Sequence, residues 1–202
     1  LVRSRGLGDV YKRQLFDVGK RKWSKDVFDL LGIPHHWLPE VVESSIICSR
    51  VYARAAADTG LKEGTPVVGG AGDQAAQAIG TGIARPGIVS VTIGTSGVVF
   101  AATSNYVYDR AGLLHAYCHA APDMWHLMGV MLSAGGSFRW FRDALGDVEK
   151  ESAKMTGVDP YDILADEAEK VTAGSDGLIF LPYLSGERTP HPDPFAKGVF
   201  FG

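Results

Sequence analysis

Two glycine-rich turns, each following an apolar run, constrain this chain more than any other feature of its sequence. Residues 69–74 read Gly-Gly-Ala-Gly-Asp-Gln, and residues 93–97 read Ile-Gly-Thr-Ser-Gly between two runs of strand-like alternation. The first turn presents a carboxylate, Asp73, and the second consists of residues small enough for a phosphate to approach the backbone closely. A carboxylate and a phosphate-binding turn are the minimum set of groups for transferring a phosphoryl group to a hydroxyl.

The composition is that of a globular protein with a sizeable core. The chain has 202 residues, of which 46% are hydrophobic and 21% charged, a length that suits one domain or pieces of two. A net charge of −3 gives no reason to expect nucleic acid as a partner. No apolar stretch approaches the roughly 20 residues needed to span a bilayer, so a membrane partner is not expected either. Cys48 and Cys118 have no metal-binding or redox spacing, which predicts buried free thiols in a reducing cytoplasm.

Both ends of the chain have unusual features. Residues 1–14 carry four basic side chains against a single aspartate and show no helical or strand periodicity. A basic arm that binds nucleic acid, or a targeting segment, is one interpretation. We favour a non-native, artefactual segment, because the stretch resembles adapter or vector read-through. The chain also stops inside the apolar run 198–202, and we therefore expect an internal piece of a longer protein.

The periodicity of apolar residues predicts a mixture of helices and strands. Helices are predicted at 26–31, 51–60, 74–80, 134–145 and 160–171, and strands at 67–70, 89–93, 98–102, 113–119, 125–131 and 178–184. Asp159 is the predicted N-cap of the last helix, and Pro160 its first residue. The strands at 67–70 and 178–184 are expected to be buried. Such a mixture predicts an α/β architecture.

The C-terminal sequence carries the most specific resemblance. Phe-Leu-Pro-Tyr-Leu-Ser-Gly-Glu-Arg-Thr-Pro-His at 180–191, together with the two glycine turns, resembles the FGGY carbohydrate kinases. So do His-Leu-Met-Gly-Val-Met-Leu-Ser at 126–133 and Lys-Gly-Val-Phe-Phe-Gly at 197–202. The resemblance implies the actin-like ATPase (ribonuclease H-like) fold, in which two α/β domains flank a nucleotide cleft. It implies that residues 15–84 end the N-terminal sugar-binding domain and that 85–202 begin the C-terminal nucleotide-binding domain.

The same resemblance implies that Asp73 is the catalytic base and binds the substrate. A sugar hydroxyl that attacks the terminal phosphate of ATP must lose its proton, and a carboxylate within hydrogen-bond reach can accept it. From the pattern alone, Asp73 more simply caps the helix that begins at Gln74. Gln74 can donate to and accept from substrate hydroxyls, or it can be a solvent-facing residue of the first turn. Xylulose-specific members often have Asn here and glycerol kinases Gln, which leaves the sugar open.

The second turn and a later glycine pair are implied to bind the nucleotide. By resemblance, Gly94, Thr95 and Ser96 contact the phosphates and Gly135 lies near the adenine. Taken alone, the turn is typical of a plain hairpin, and the glycine pair at 135–136 of tight packing. The implied cofactors are ATP and Mg²⁺, with the cation held largely by the ATP phosphates and water.

Several other residues have simpler interpretations. We expect the histidines to be core or surface residues rather than metal ligands: His115, His119 and His126. Arg188 either steers an anion or braces the fold, and we favour bracing. Three tryptophans are expected to fill cores: Trp37, Trp125 and Trp140.

The resemblance implies a cytoplasmic kinase that phosphorylates D-xylulose at the 5-position with ATP. The expected partners are therefore a small sugar and ATP, and a homodimer is left open. The alternatives are a kinase of L-ribulose, gluconate or glycerol, and an actin-like nucleotide-binding module without sugar kinase activity. Release of ADP that depends on sugar separates the kinases from the module.

Overall fold

A computed structural model of the protein describes residues 15–202. Residues 1–14, interpreted above as non-native, lie outside the described residues. The chain divides into two compact units. The first takes in the described residues up to Ser90 together with Phe100–Met128, and the second consists of Val91–Val99 and Gly129–Gly202. None of the helices within 15–202 has the length and apolar character of a membrane span.

The first unit begins with two antiparallel strand pairs and three helices. Its strands are β1 (Phe16–Asp17), β2 (Lys22–Trp23), β3 (Ile47–Arg50) and β4 (Pro66–Val68), and its helices are α1 (Lys25–Leu31), α2 (Ala53–Thr59) and α3 (Asp73–Gly80). Strand β1 pairs with β2, and β3 with β4. Helices α1 and α2 end at glycines with left-handed backbone, Gly32 and Gly60. The predicted helices at 26–31 and 51–60 are thus confirmed, although α2 begins two residues later than predicted.

A four-stranded sheet follows. Its strands are β5 (Val89–Ile93), β6 (Gly97–Thr103), β7 (His115–Cys118) and β8 (Trp125–Met131), in the order β5-β6-β8-β7. Strands β7 and β8 are antiparallel, with Tyr117 opposite His126. All four predicted strands of this region are confirmed, and the boundaries of β8 coincide with the prediction.

The second unit is mainly helical beyond the sheet. It contains helices α4 (Gly135–Ala144), α5 (Asp147–Thr156) and α6 (Pro160–Glu169) and the antiparallel strands β9 (Ile179–Leu181) and β10 (Val199–Phe201). Helix α6 begins as predicted, because the Asp159 side chain accepts a hydrogen bond from the Tyr161 amide at 2.8 Å. Helix α5 was not predicted from the sequence. No residue of α5 is buried, so it lacks the apolar stripe that reveals a packed helix.

Buried apolar side chains concentrate in the first unit. One cluster consists of Ala78, Ile83, Phe100, Ala102 and Met124. A second consists of Phe16 and Cys118, with Val18, Trp23, Val41 and Trp125 packed against it. Cys118 is fully buried, whereas Cys48 is only half-buried, and within residues 15–202 neither forms a disulfide. The prediction of free thiols is confirmed, but that of burial holds for Cys118 alone.

Three further burial predictions are wrong. The strand predicted at 67–70 ends at Val68, which is 46% exposed, and in β9 Ile179 is 54% exposed. Both strands belong to two-stranded sheets, so neither has a pairing neighbour on each side, and the apolar run is not enclosed as in a central strand. Trp37 is 69% exposed in a short 3₁₀ turn rather than filling a core. Trp125 and Trp140 are half-buried.

Candidate active site

Asp73 is the first residue of α3 and is exposed to solvent. The glycine turn that precedes it is held by backbone hydrogen bonds from Gly69 to Ile46 and from Gly70 to Ser44, each 3.0 Å long. A Cβ atom at position 69 would lie 2.8 Å from the Glu43 carbonyl oxygen, so the close approach of the two segments requires glycine there. Because its backbone is held in this way, the turn places Asp73 at the surface in a fixed position.

The opposite face of α3 anchors the helix. Ala75 and Ala78 are buried, and Ala78 belongs to the cluster that contains Phe100 and Met124. Small side chains on this face allow α3 to approach the sheet residues of that cluster closely. The position of α3, and with it the Asp73 carboxylate, is thus fixed by the packing of the helix and not by contacts of the carboxylate.

Asp73 does not occupy the N-cap position. Gly72 is the N-cap, with extended backbone, and its carbonyl accepts from the Ala76 amide at 2.9 Å. Within the part of the chain that the structure describes, the Asp73 Oδ1 accepts only from the neighbouring Gln74 amide, at 2.9 Å. The capping interpretation is corrected accordingly, because the helix begins one residue earlier than predicted. The carboxylate still sits at the positive end of the helix dipole, which favours the anion. Gln74 is half-buried.

Residues Gly94–Ser96 form the connection between β5 and β6 and lie entirely in the second unit. All three are exposed. The Gly94 carbonyl accepts from the Gly135 amide at 2.8 Å, and the Thr95 carbonyl accepts from the Ala134 and Gly136 amides at 2.9 and 3.1 Å. The turn is therefore more than a plain hairpin, because the start of α4 holds it through the backbone.

Gly135 is required by this close packing. A Cβ atom at position 135 would lie 2.6 Å from the Gly94 carbonyl oxygen, a distance at which one backbone must move. The sequence left open whether this glycine packs tightly or lies near the adenine. Its amide is engaged by the turn itself, and its role beside a nucleotide stays a prediction.

The contacts of the turn leave polar donors at its surface. Within residues 15–202, the Thr95 hydroxyl and the amides of Thr95 and Ser96 form no hydrogen bond. The Ser96 hydroxyl donates to the Leu132 carbonyl at 3.3 Å. Exposed amides and a hydroxyl on a turn whose carbonyls are already bonded can donate to anionic oxygens. The residues present therefore fit a phosphate group.

The loop after β9 contributes a residue that the sequence analysis did not single out. Glu187 is 3% exposed, and its Oε1 accepts from the Leu132 amide at 3.0 Å and the Arg188 amide at 2.7 Å. Arg188, which the sequence analysis considered for steering an anion or bracing the fold, is exposed. The available signal in the sequence was a charged residue, Glu187, directly after a glycine. Nothing in the local sequence indicates that its partner, Leu132, lies 55 positions away.

The three histidines considered from the sequence lie beside aromatic rings. His119 and His126 are buried beside Phe100, with ring centroids 5.6 and 4.3 Å from that of Phe100, and His115 stacks on Tyr117. Burial lowers the pKa of His119 below its usual value, because the charged ring would be desolvated. In the part of the chain that the structure describes, no group of three His, Cys, Asp or Glu side chains is arranged to hold a metal.

Comparison with known families decides the affiliation of the chain. The model of the FGGY family of carbohydrate kinases, N-terminal domain, matches residues 7–80, and the model of the C-terminal domain matches residues 89–202. The chain belongs to the FGGY family of carbohydrate kinases. The fold is accordingly the α/β actin-like ATPase fold that the sequence resemblance implied.

Individual FGGY relatives agree with this assignment. The chain is 37% identical over 196 residues to the xylulose kinase of Escherichia coli K12, covering 97% of this chain and 38% of the relative. It is 35% identical over 181 residues to the gluconokinase of Bacillus subtilis, covering 89% and 35%. A crystal structure of a xylulose kinase from Brucella ovis superposes with a TM-score of 0.82 at 36% identity, covering 99% of this chain and 39% of that one. The chain thus spans less than two fifths of the length of these relatives.

Proposed function

We propose that the full-length protein containing this chain is an ATP-dependent kinase that converts D-xylulose to D-xylulose 5-phosphate. The similarity to the E. coli and B. ovis xylulose kinases supports this choice of sugar. Membership of the FGGY family supports the reaction class independently of the sugar. The exposed carboxylate of Asp73, presented at the start of α3 on a rigid glycine turn, is the observation that carries the proposal.

In the proposed reaction, a sugar hydroxyl oxygen attacks the terminal phosphorus of ATP as the bond to the ADP oxygen breaks. Asp73 orients that hydroxyl and accepts its proton, and Gln74 hydrogen-bonds a neighbouring hydroxyl. The Thr95 hydroxyl and the amides of Thr95 and Ser96 donate to phosphate oxygens. Mg²⁺ would be held largely by the ATP phosphates and water, and when bound it would neutralise charge on the transferred group.

The arrangement of domains is part of the proposal. Residues 15–84 would end the sugar-binding domain and 85–202 would begin the nucleotide-binding domain. Asp73 and Gln74 then belong to the sugar-binding part, and Gly94, Thr95, Ser96 and Gly135 to the nucleotide-binding part. A cytoplasmic location follows from the use of ATP and a free sugar. The proposed partners are these two small molecules, with a homodimer left open.

Gluconate is the second candidate substrate. The similarity to the B. subtilis gluconokinase is only two percentage points of identity below that to the E. coli xylulose kinase. Gln74 also favours a second candidate, because it stands at the position where xylulose-specific members often have Asn. The reaction class is the same for both substrates.

The test is ADP release by the full-length protein with D-xylulose, D-gluconate, L-ribulose, glycerol or no sugar. We expect the highest kcat/KM with D-xylulose and little ADP without sugar. A preference for gluconate would move the proposal to the second candidate. Equal ADP release with and without sugar would contradict the kinase and favour a nucleotide-binding module.

A further inference from the structure

Glu187 is fixed in a closed loop of the second unit. Its backbone exchanges two hydrogen bonds with Asp193, from the Glu187 amide to the Asp193 carbonyl at 2.9 Å and back at 3.0 Å. The preceding residue, Gly186, is buried against the carbonyls of Asp193 and Pro194. The side chain of Glu187 therefore leaves a rigid backbone and is almost fully enclosed, at 3% exposure.

The carboxylate links this loop to Leu132. Its Oε1 accepts from the Leu132 amide at 3.0 Å, and the carbonyl of the same Leu132 accepts from the Ser96 hydroxyl at 3.3 Å. Leu132 lies between β8 and α4, three residues before Gly135, whose amide holds the Gly94 carbonyl. A single residue thus joins the buried carboxylate to the turn at Gly94–Ser96, within one compact unit.

The burial of this carboxylate is costly for stability alone. Among the described residues, no cation forms an ion pair with Glu187, and its Oε2 is buried without a hydrogen-bond partner. A buried anion without a cation is unfavourable compared with an apolar residue of similar size. Its bonds to amides are charge-assisted and are therefore stronger and more directional than those of a neutral acceptor. Such an arrangement favours precise positioning over stability.

We propose that Glu187 is a positioning residue that fixes the turn at Gly94–Ser96 for phosphate binding by holding Leu132. This inference rests on the proposed role of that turn in the kinase reaction. Glu187 itself touches neither substrate. It fixes the position of the Leu132 backbone, whose carbonyl accepts a hydrogen bond from the Ser96 hydroxyl and which leads into the start of α4. The hydrogen-bond donors of Thr95 and Ser96 therefore keep a fixed direction.

A simpler role is that Glu187 only closes its own loop through the Arg188 amide. The two roles predict different changes. A loop-closing residue would affect stability and leave the kinetic constants for ATP and sugar in their original ratio. A positioning residue would raise KM for ATP selectively, because the sugar does not contact the turn.

The experiment uses full-length protein with Glu187→Ala, Glu187→Gln and the control Asp193→Ala. The control removes a side-chain acceptor of the Phe195 amide in the same loop, and within residues 15–202 that side chain forms no hydrogen bond with Leu132. We expect Glu187→Ala to raise KM for ATP about tenfold, equivalent to ~1.4 kcal/mol, with KM for sugar changed less than about twofold. Glu187→Gln retains an acceptor for the Leu132 amide and should recover most of the ATP affinity. Asp193→Ala should leave KM for ATP unchanged.

A double-mutant cycle tests the proposed route through Leu132. Because Glu187 and Ser96 both act through Leu132, the effect of Glu187→Ala on KM for ATP should be smaller in a Ser96→Ala background than alone. Unchanged KM for ATP in both Glu187 variants, or strict additivity in the cycle, would overturn the inference. Failure of the proposed function is a separate result, since the unsubstituted protein would then show no sugar-dependent ADP release.

Discussion

The unit that contains Asp73 and the unit that contains the Gly94–Ser96 turn are stabilised by different interactions. Among the described residues, every buried apolar side chain except Leu164 lies in the first unit. In the second unit, the buried polar residues Ser133, Ser137 and Glu187 and the backbone bonds around the turn take the place of an apolar cluster. Its larger aromatic residues stack instead, with Phe180 and Phe200 ring centroids 4.4 Å apart.

This contrast suggests how each candidate group keeps its position. Asp73 depends on the packed alanine face of α3, and its own side chain adds only one bond to an adjacent amide. The turn depends on carbonyl-to-amide bonds that no side-chain substitution removes directly, but that an added Cβ atom can displace. Removing the Asp73 side chain should therefore change the catalytic chemistry in the first unit. Adding a Cβ atom beside the turn should instead change the backbone geometry in the second unit.

The largest effect is expected for Asp73→Ala. Loss of the proton acceptor should lower kcat by about 10²–10⁴-fold, the usual contribution of a general base. The free energy of unfolding should change by less than about 1 kcal/mol, because Asp73 is not the N-cap and α3 is held by its alanine face. Steady-state kinetics and urea unfolding of the full-length protein measure both quantities.

The matched control for Asp73→Ala is Asp58→Ala. Asp58 is an exposed carboxylate near the end of α2 with only a 3.8 Å contact to Arg54. Its removal should leave kcat unchanged. Near-normal turnover of Asp73→Ala combined with a clear loss of stability would break the comparison, because Asp73 would then be a structural residue.

Gly135→Ala should give the next largest effect. Its new methyl group would meet the Gly94 carbonyl oxygen at 2.6 Å, so either α4 or the turn must move. We expect a loss of about 1–3 kcal/mol in the free energy of unfolding, typical of overpacking, together with a higher KM for ATP. The control is Gly80→Ala at the end of α3, where nothing lies within 4 Å of the added atom. Equal stability of the two variants would contradict the backbone account of the turn.

The fold was largely predictable where local patterns determine it. Alternation of apolar residues located the strands of the four-stranded sheet, and Pro160 after Asp159 located the start of α6. The start of α3 was missed by one residue because Gly72 and Asp73 are both acceptable N-caps in sequence. The exposed surfaces of β4 and β9 were missed because an apolar run does not reveal how many strands pair with it.

The candidate site was predictable to a different extent in the two units. Asp73 and Gly94–Ser96 belong to short motifs, so the sequence singles them out. The contact between Glu187 and Leu132 joins residues far apart in the chain, and no local pattern encodes a side chain reaching a distant amide. Gly135 was recognised in the sequence as part of a glycine pair. Glycine is required there because α4 approaches the Gly94 carbonyl, and this approach depends on how α4 packs against the turn.

A smaller effect is expected for Thr95→Val. The substitution keeps the shape of the side chain and removes a hydroxyl that could donate to phosphate. We expect KM for ATP to rise about tenfold, the factor for loss of ~1.4 kcal/mol, with the affinity for sugar unchanged. Thr81→Val is the control, since the Thr81 hydroxyl donates to the Gln77 carbonyl in the other unit. A loss confined to sugar affinity would sink the assignment of this turn to phosphate.

The smallest effect concerns pH and should be confined to the first unit. His119 is fully buried against Phe100, and burial lowers its pKa below the ordinary value of 6.5, with a contact to the Ile83 backbone opposing the shift only in part. In the unfolded chain the ring takes up its proton near pH 6.5, so the unfolded state binds more protons below that pH. His119 therefore contributes its full stability above pH 6.5 and loses it as pH falls, by at most about 1.4 kcal/mol per pH unit.

Hydrogen exchange between pH 7.5 and 5.5 distinguishes the two units. All histidines except the exposed His191 lie in the first unit, so amides around Phe100 should lose protection as pH falls while amides of α6 change less. His119→Gln should flatten the pH dependence of the first unit, whereas the control His36→Gln, at an exposed position, should leave it unchanged. Equal loss of protection in α6 and around Phe100 would mean that the units unfold together, and the contrast between their modes of stabilisation would then have no separate thermodynamic consequence.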